Sequence, residues 1–395
     1  METGFDLPLP DAAALAHSDR VRDRVIERIR EGGGFLSFAD YMELVLYAPG
    51  LGYYSAGARK FGAAGDFVTA PELGSVFARC LARIAAGTLR QLRGGVILEV
   101  GGGTGALAAG ILEALGPDLP ARYLLLEVSG DLRDRQRATI SARVPRLAGR
   151  VDWLDAWPEA PIDGLVIANE VLDALPVERF RIAIDGTGLQ EGVTVTAGQL
   201  AWAERPAPAP LAAAIRALEV ALGAPLARGV RGEIPLRQAP WLAALVGSLG
   251  RGLALCIDYG GTRREVHHPD RPGGTLACHY RHRRHEDPFL WPGLQDLTAW
   301  VDFSAAAATA TAAGAKLVVY ATQAHVLLAA GVLGELGDHP TGSDADRLSE
   351  VQEVQRLLLP GEMGERFKVL ALARDFVPDF PLTVRDLSER LELQR

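Results

Sequence analysis

Three glycines between an apolar run and a helical pattern form the most informative chemical feature of the chain. A glycine-rich turn from strand to helix lets ligand atoms approach the backbone without meeting a Cβ atom, and the helix start offers free N–H groups. Read as G-x-G-x-G through Gly101, Gly103 and Gly105, the turn suits S-adenosylmethionine (SAM). Read as G-x-G-x-x-A through Ala106, it also matches a dinucleotide fingerprint. The glycines therefore predict an adenosine-containing ligand and leave its identity open.

Two acidic residues lie near this turn, and the first of them favours SAM over a dinucleotide. Glu99 lies two residues before Gly101, where its carboxylate could orient the loop and face the cationic amino-acid moiety of SAM. A pyrophosphate would gain nothing from this charge. Glu127 ends the next predicted strand about 20 residues beyond the loop, a separation at which an acid reaches the ribose hydroxyls of either ligand. The alternative is a tight turn with a solvated Glu. We expect Glu99, the three glycines and Glu127 to bind the cofactor.

From Val96 onward, short apolar runs alternate with helical patterns, which predicts an α/β fold with a parallel sheet wound by helices. The expected sheet has about seven strands. The runs that predict them are GVILEVG, ARYLLLEVS, GRVDWLDAW, DGLVIANEV, RGLALCIDYG, AKLVVYATQ and FKVLALARD. Residues 1–95 are predicted to be mostly helical and residues 96–395 to form the Rossmann-like domain. An Ala- and Pro-rich stretch at about 185–250 is predicted to be an inserted accessory lobe.

The composition excludes several classes of protein. Of the 395 residues, 48% are hydrophobic and 23% are charged, as is typical of a folded globular protein. The net charge of −8 opposes the basic face that non-specific nucleic-acid binding needs, so no nucleic-acid partner is expected. Glu2 and Asp6 stand where a signal peptide would be basic and apolar, and no run reads as a membrane span. We therefore expect a cytoplasmic protein without membrane insertion.

Three further stretches, in order around the glycine loop, resemble motifs of the MidA-type SAM-dependent methyltransferases. They are GDFVTAPEL (Gly65 to Leu73), ANEVLDALPVERF (Ala168 to Phe180) and GEMGERFKVLAL (Gly361 to Leu372). The stretches YMELVLYAPGLGYY and GTLACHYRHRRHEDPFLWPGLQDLTAWVDFS are also similar, so the resemblance covers most of the chain. This family includes the mitochondrial assembly factor for respiratory complex I that acts as a protein arginine methyltransferase.

The resemblance implies a class I methyltransferase fold, SAM as cofactor, and a protein substrate whose arginine accepts the methyl group. A respiratory-complex subunit is a candidate substrate on the same ground. Residues 185–250 carry no recognised family motif, so the resemblance bears least on the accessory lobe. Two other functions stay open: a nicotinamide-dependent oxidoreductase, for which no hydride-transfer constellation is evident, and a docking factor that keeps the fold but transfers no methyl group.

The stretch NEVLDALP supplies the candidate catalytic residues. Asn169 and Glu170 follow an apolar run, at the strand end where open α/β sheets bind ligands. An arginine guanidinium stays protonated and its lone pair is delocalised, so carboxylates must hold it. Glu170 and Asp173 would share a face if a helical turn follows the strand, and could then clamp the guanidinium. Asn169 could hydrogen-bond SAM or the acceptor. The alternative is that these acids cap a short helix ended by Pro176.

The stretch GDFVTAPEL supplies further candidate cofactor residues. Gly65 and Asp66 lie on a glycine-containing loop, and the acid could bind the ammonium group of SAM. Thr69 and Glu72 have the spacing of a capping box that would start the helix ELGSVFARCLARI. Because this motif belongs to the active-site region in the resembled family, we expect Gly65, Asp66 and Thr69 at the cofactor. A loop ordered only for packing is the alternative.

Two other sets of polar residues indicate a functional site less strongly. His279, His282 and His285 are spaced three apart, but they would share a face only on a helix and no carboxylate is evidently placed with them. Because methyl transfer needs no metal, no metal site is expected. Asp258 and Tyr259 end a predicted strand at the same edge of the sheet as the candidate catalytic residues. They could line an acceptor channel or simply form a polar strand end.

Overall fold

The computed structural model describes residues 7–55, 69–336 and 344–393, and the chain divides into two compact units. Unit 1 comprises Met1–Phe67, Asp173–Gln238 and Arg263–Trp300; unit 2 comprises Val68–Leu172, Ala239–Thr262 and Val301–Arg395. This division differs from the sequence-based one at 95/96, because two separate insertions into the second half of the chain join the amino-terminal helices. The predicted lobe at 185–250 is likewise divided between the two units.

The α-helices of the described residues range in length from four residues to 20. In chain order they are α1 (Ala12–Glu31), α2 (Phe38–Tyr47), α3 (Ala70–Leu73), α4 (Val76–Leu92), α5 (Ala106–Leu115), α6 (Gly130–Arg143), α7 (Ala209–Leu222), α8 (Gln238–Ser248), α9 (Arg263–Val266), α10 (Phe303–Ala312), α11 (Gln323–Ala329), α12 (Asp344–Leu358) and α13 (Met363–Arg366). Short 3₁₀ helices lie at Ala148–Arg150, Val332–Leu336 and Ser388–Leu391. Across the described ranges, no helix is both long enough and apolar enough to cross a membrane.

The strands of the described residues range in length from two residues to 13. In chain order they are β1 (Leu36–Ser37), β2 (Val96–Val100), β3 (Arg122–Leu126), β4 (Val151–Leu154), β5 (Ile162–Asn169), β6 (Glu178–Ile182), β7 (Gly188–Thr196), β8 (Gln199–Pro206), β9 (Arg231–Ile234), β10 (Leu249–Gly261), β11 (Ala277–Tyr280), β12 (Arg283–His285), β13 (Asp296–Thr298), β14 (Val301–Asp302), β15 (Lys316–Thr322) and β16 (Phe367–Arg374).

Unit 2 is built on a sheet of eight described strands, seven of which follow the order β15-β16-β10-β5-β2-β3-β4. Strands β4, β3, β2, β5 and β10 are parallel, while β16 runs antiparallel to both β10 and β15. The eighth strand is β14, which pairs with β10 over two residues. It is too short to produce an apolar run, so the sequence predicted seven strands. The central parallel strands β2, β5 and β10 are mostly buried, as expected for a sheet covered by helices on both faces.

The start of α4 shows how unit 2 satisfies a buried helix end. Its first N–H groups have no partner within the helix. The carboxylate of Glu353, on α12, accepts hydrogen bonds from the N–H groups of Val76 (2.8 Å) and Phe77 (3.3 Å). Burial of this carboxylate raises its pKa, and these hydrogen bonds oppose the rise. A residue far along the chain therefore performs the capping.

Unit 1 contains two smaller antiparallel sheets. The first has the order β1-β7-β6-β9, with β8 pairing along β7, and the second has the order β12-β11-β13. Helix α7 packs its buried residues Leu211, Ile215 and Leu218 with Phe180 and Ile182 of β6. Helices α1 and α2 contribute to a second apolar cluster of this unit. The unit 1 part of the predicted accessory lobe therefore consists of strands β7, β8 and β9 together with α7.

Candidate active site

The register of the parallel strands brings three loops to one edge of the unit 2 sheet. Val100, the last residue of β2, pairs with Leu126 on one side and Ala168 on the other. Asn169, the last residue of β5, pairs with Ile257 of β10. The chain segments after β2, β3 and β5 therefore begin next to one another, and β10 continues beyond them to Gly261. In an open α/β sheet, this carboxyl edge is where ligands bind.

The glycine loop adopts backbone conformations that favour glycine. Gly101, Gly103 and Gly105 have φ angles of +67°, +52° and +83°. A Cβ atom on Gly105 would lie 3.0 Å from the Cα of Gln136, so this glycine is needed for packing against α6. A Cβ on Gly103 would meet nothing within 4 Å. The backbone at Gly103 therefore borders open space, as a loop that receives a ligand should.

Glu127 lies directly after β3, and each of its two carboxylate oxygens accepts a hydrogen bond from the protein. Oε1 accepts a hydrogen bond from the N–H of Ser129 (2.9 Å), and Oε2 accepts one from Nε2 of Gln136 (3.1 Å). Burial raises the pKa of Glu127, whereas these two hydrogen bonds oppose the rise. Each carboxylate oxygen can still accept a further hydrogen bond. This arrangement fits an acid that receives ribose hydroxyls.

Sequence reasoning missed Gln136, which belongs to the same group of contacts. It lies on α6 and is fully buried (0% exposed), with Nε2 also donating to the carbonyl oxygen of Gly103 (3.1 Å). Its Oε1 accepts a hydrogen bond from the indole N–H of Trp153 (2.8 Å). The only signal in the sequence is its position between Leu132 and Ile140, the other buried residues of this polar helix. An amide on the buried face of a helix usually has specific partners.

Glu99 lies within β2, beneath the glycine loop. It is buried (3% exposed), and its Oε2 accepts a hydrogen bond from the hydroxyl of Tyr123 (2.6 Å). A Cβ on Gly102 would lie 3.4 Å from its other oxygen, which places that oxygen close under the loop. Burial raises the pKa of Glu99 to about 7; the Tyr123 hydrogen bond opposes this rise and the charge of Glu127 adds to it. These contacts favour a role in supporting the loop.

We expect Glu99→Gln to remove a pH-dependent loss of stability. Folding raises the pKa of this carboxyl from 4.5 to about 7, so between these values the folded state holds a proton that the unfolded state has lost. Stability therefore falls as the pH rises through this window, by about 3 kcal/mol at most. The difference in unfolding free energy, Glu99→Gln minus wild type, should increase from pH 5 to pH 8 in urea titrations. The exposed Glu159→Gln is the control, and a difference that stays constant with pH would exclude this assignment.

The segment after β5 is held by Asp258 and not by a helical turn. Asp258, which is 1% exposed, accepts hydrogen bonds at Oδ2 from the N–H groups of Val171 (3.1 Å) and Leu172 (2.9 Å). Glu170 has a positive φ of +54°, and its N–H donates to the carbonyl of Ile257 (2.8 Å). The positive φ of Glu170 is incompatible with a right-handed helix that starts at this residue, and the contacts that hold the segment come from a distant strand. The described stretch 170–176 accordingly contains bends and turns only, so the predicted helical turn and the capped short helix are both wrong.

Asn169 and Glu170 remain together at the end of β5. Nδ2 of Asn169 donates to Oε1 of Glu170 (3.2 Å). The Oδ1 atom of Asn169 is buried and has no hydrogen-bond donor among the described residues. Leaving a buried amide oxygen without a donor is unfavourable, so this atom needs a partner that the described residues do not supply. This oxygen, next to a carboxylate and close to the glycine loop, is suited to bind N–H groups of an acceptor.

Asp173 lies in unit 1, in different surroundings. It is buried (2% exposed), and its carbonyl oxygen accepts a hydrogen bond from the N–H of Ala299 (3.0 Å). The hydroxyl of Tyr54 donates to Asp296 (2.9 Å). Burial raises the pKa of Tyr54 well above its usual value, and the charges of Asp296 and Asp173 add to the rise. Asp173 therefore belongs to the buried polar surroundings of Tyr54, and it shares no helix face with Glu170.

The GDFVTAPEL motif is only partly described. Gly65 and Asp66 lie outside the described residues. Thr69 is the N-cap residue of α3, but its side chain makes no capping hydrogen bond, and α3 ends at Leu73 before α4 begins. The predicted capping box and continuous helix are therefore wrong. Glu72 instead accepts a short hydrogen bond from the hydroxyl of Thr104, which connects α3 to the glycine loop.

The three candidate metal-binding histidines lie on a β-hairpin of unit 1. His279 is on β11 and His285 is on β12, while His282 lies in the turn between them with a φ of +61°. Burial lowers the pKa of His279 to about 4, so its ring is neutral at physiological pH. Within the described ranges, no three His, Cys, Asp or Glu side chains are grouped so that they could hold a metal ion.

Comparison with known proteins adds independent information about this chain. Residues 80–321 match a family model described as "Putative S-adenosyl-L-methionine-dependent methyltransferase". A Drosophila melanogaster protein named protein arginine methyltransferase NDUFAF7 homolog, mitochondrial, is 27% identical over 373 residues, which is 86% of this chain and 82% of that protein. The Homo sapiens protein named protein arginine methyltransferase NDUFAF7, mitochondrial, is 28% identical over 378 residues, or 86% and 80% of the two chains.

Two proteins of solved structure are more similar to this chain in sequence than the relatives named above. A crystal structure of a Burkholderia thailandensis protein bound to S-adenosyl-homocysteine has a TM-score of 0.90 to this chain at 42% identity. The match covers 96% of this chain and 98% of the other. A native structure of a protein from the same organism has a TM-score of 0.87 at 41% identity, with the same coverage. The fold of this chain and the folds of these relatives therefore agree over nearly their full length.

Proposed function

The chain belongs to the family of SAM-dependent methyltransferases whose model it matches, and on that premise we propose that it methylates a protein side chain, with arginine as the acceptor. The observation that carries this proposal is the pair Asn169 and Glu170 beside the glycine loop, where a buried amide oxygen lacks a donor among the described residues. The relatives named protein arginine methyltransferases support the choice of acceptor. These comparisons give no support to the nicotinamide-dependent alternative.

The residues at the carboxyl edge fit SAM. The open space at Gly103 leaves room for a ligand against the loop backbone, and Glu127 retains acceptor capacity for ribose hydroxyls. We assign cofactor binding to Gly101, Gly103, Gly105 and Glu127, with Glu99 supporting the loop from below. When bound, SAM supplies a methyl carbon attached to a positively charged sulfur, which makes that carbon electrophilic.

Asn169 and Glu170 would orient the acceptor. Oδ1 of Asn169 and the Glu170 carboxylate can each accept a hydrogen bond from the guanidinium, and two such contacts fix the plane of the group. The negative charge of Glu170 draws the positive charge toward the nitrogens it contacts. After transfer, the methylated nitrogen must lose one proton, and Glu170 is the carboxylate placed to accept it. Asp258 holds this segment in place through the N–H groups of Val171 and Leu172.

The wider biological setting is proposed on the family resemblance. A respiratory-complex subunit is the substrate that this resemblance favours, and the cytoplasmic location predicted from the sequence stays a prediction. Gly65, Asp66 and Thr69 stay predicted cofactor residues, since the first two lie outside the described residues. Asp173 stays a predicted catalytic residue, but without the helical turn that was expected to place it on one face with Glu170.

A labelled-methyl assay tests this function. The protein is incubated with SAM carrying a tritiated methyl group and with a cell extract depleted of small molecules, and the products are separated into protein, nucleic acid, lipid and small-molecule fractions. The proposal predicts label in protein, recovered as methylarginine after acid hydrolysis. Label in another fraction, or in a different amino acid, would overturn the proposed acceptor. Capture of a partner without any label would favour the docking function.

A further inference from the structure

The buried side chain of Gln136 connects the segments that follow β2 and β3 with strand β4 itself. Its Nε2 donates to Glu127, after β3, and to the carbonyl of Gly103 in the loop after β2. Its Oε1 accepts from Trp153 of β4. The register of β2, β3 and β4 brings these partners together at one edge of the sheet. One amide group on α6 is therefore hydrogen-bonded to the glycine loop, the ribose-facing acid and the next strand.

The Trp153 contact determines which way the amide faces. An indole N–H is a donor only, so the atom of Gln136 that meets it must be the carbonyl oxygen Oε1. The NH₂ group must then face Glu127 and Gly103, both of which present acceptors. Reversal of the amide would place two donors together at Trp153 and two acceptors together at Glu127. The contact with Trp153 therefore sets the amide orientation in which Nε2 of Gln136 donates to Oε2 of Glu127.

A carboxylate held in this way is oriented before its ligand arrives. Ser129 fixes Oε1 of Glu127 and Gln136 fixes Oε2, so rotation of the carboxylate about its terminal bond is opposed at both oxygens. An acceptor whose orientation is already fixed loses less conformational freedom when it binds a hydroxyl pair. The gain in binding affinity is greatest for a ligand whose hydroxyls contact both oxygens. A ligand without hydroxyls gains no affinity from this orientation.

We propose that Gln136 is a positioning residue for ribose recognition, which sets the Glu127 carboxylate to accept hydrogen bonds from the ribose hydroxyls of SAM. The inference concerns cofactor selectivity, so it goes beyond the choice of arginine as acceptor and does not depend on that choice. A merely structural amide would support the loop and α6 equally for every ligand. The two roles differ in one measurable quantity, the preference for a ribose that carries its hydroxyls.

Calorimetric titration with S-adenosylhomocysteine and its 2′,3′-dideoxy analogue measures this preference. Wild-type protein should prefer the ribose form by about tenfold or more, as expected for hydrogen bonds to a charged acceptor. In Gln136→Met the preference should fall to about threefold or less, with most of the lost affinity on the ribose form. Equal losses for the two ligands, or an unchanged preference, would overturn the proposal. A wild type without any preference would also overturn it, because Glu127 would then not receive the ribose.

A matched control removes another buried glutamine from the same unit. Gln323, on α11, is 1% exposed and donates to the carbonyl of Leu357 (3.2 Å). Gln323→Met should leave the ribose preference at the wild-type value. If Gln136→Met does not fold, as judged by thermal unfolding, Trp153→Phe decides the question. It removes the donor that orients the amide and should lower the preference by about threefold, whereas a preference equal to that of the wild type would overturn the proposal.

Discussion

Glu170→Gln is expected to lower kcat for methyl transfer by about 10³-fold while the Kd for SAM changes by less than about twofold. Glutamine keeps the shape of the side chain and can still accept the hydrogen bond from Asn169. The local fold should be retained, because the segment is held by backbone bonds to Ile257 and by Asp258. What the variant loses is the negative charge that we propose orients the guanidinium, and the group that we propose accepts its proton.

The measurement combines labelled-methyl turnover with calorimetric SAM binding, and Glu159→Gln serves as the control. Glu159 is an exposed acid of the same unit, so its substitution changes the net charge equally without touching the site. The control should keep both wild-type values. Loss of SAM binding in Glu170→Gln would remove Glu170 from the acceptor role, and full turnover would remove it from the reaction altogether.

Gly103→Ala is expected to weaken SAM binding by a factor between about ten and about 100, because the added methyl group would occupy space beside the loop where the ligand lies. Nothing within 4 Å in the protein meets that methyl group, so packing does not oppose the substitution. The positive φ of Gly103 adds a backbone strain of about 1 kcal/mol. The folded protein should survive this strain, and the binding defect should then be specific.

Gly223→Ala provides the matched control for Gly103→Ala. Gly223 follows α7 with a φ of +74°, and a Cβ there also meets nothing within 4 Å. The two variants therefore carry a similar strain, but only one of them alters the loop. We expect similar melting temperatures and a loss of SAM affinity in Gly103→Ala alone. Equal affinities in the two variants would show that the ligand does not approach the backbone at Gly103.

The strands of unit 2 could be predicted because each is an apolar run, and the central strands β2, β5 and β10 are mostly buried. Each of the seven apolar runs became one strand, from β2 through β5 and then β10, β15 and β16. The strands of unit 1 gave no such signal. Strand β8, for example, is exposed over much of its length and reads as a polar and Ala/Pro-rich stretch. It forms because it pairs along β7, a contact that its own composition does not reveal.

The candidate site was predictable where local sequence determines geometry. The glycine loop and Glu127 lie at the predicted strand ends, since a strand, a turn and a helix specify their own positions. The segment after Asn169 was not predictable, because its conformation depends on hydrogen bonds to Asp258 and Ile257 of another strand, which local spacing does not reveal. Gln136 was missed for a related reason. Its three partners come from distant parts of the chain, and no motif marks them.

We propose that SAM binding depends on the loop from Gly101 to Gly105 together with Glu127. Calorimetric titration of the wild type and Glu127→Ala with SAM and, separately, with NAD is the decisive measurement. We predict SAM binding with a micromolar Kd, weakened in Glu127→Ala, and no heat with NAD in either protein. Clear binding of NAD without binding of SAM would contradict the assignment of this loop to SAM.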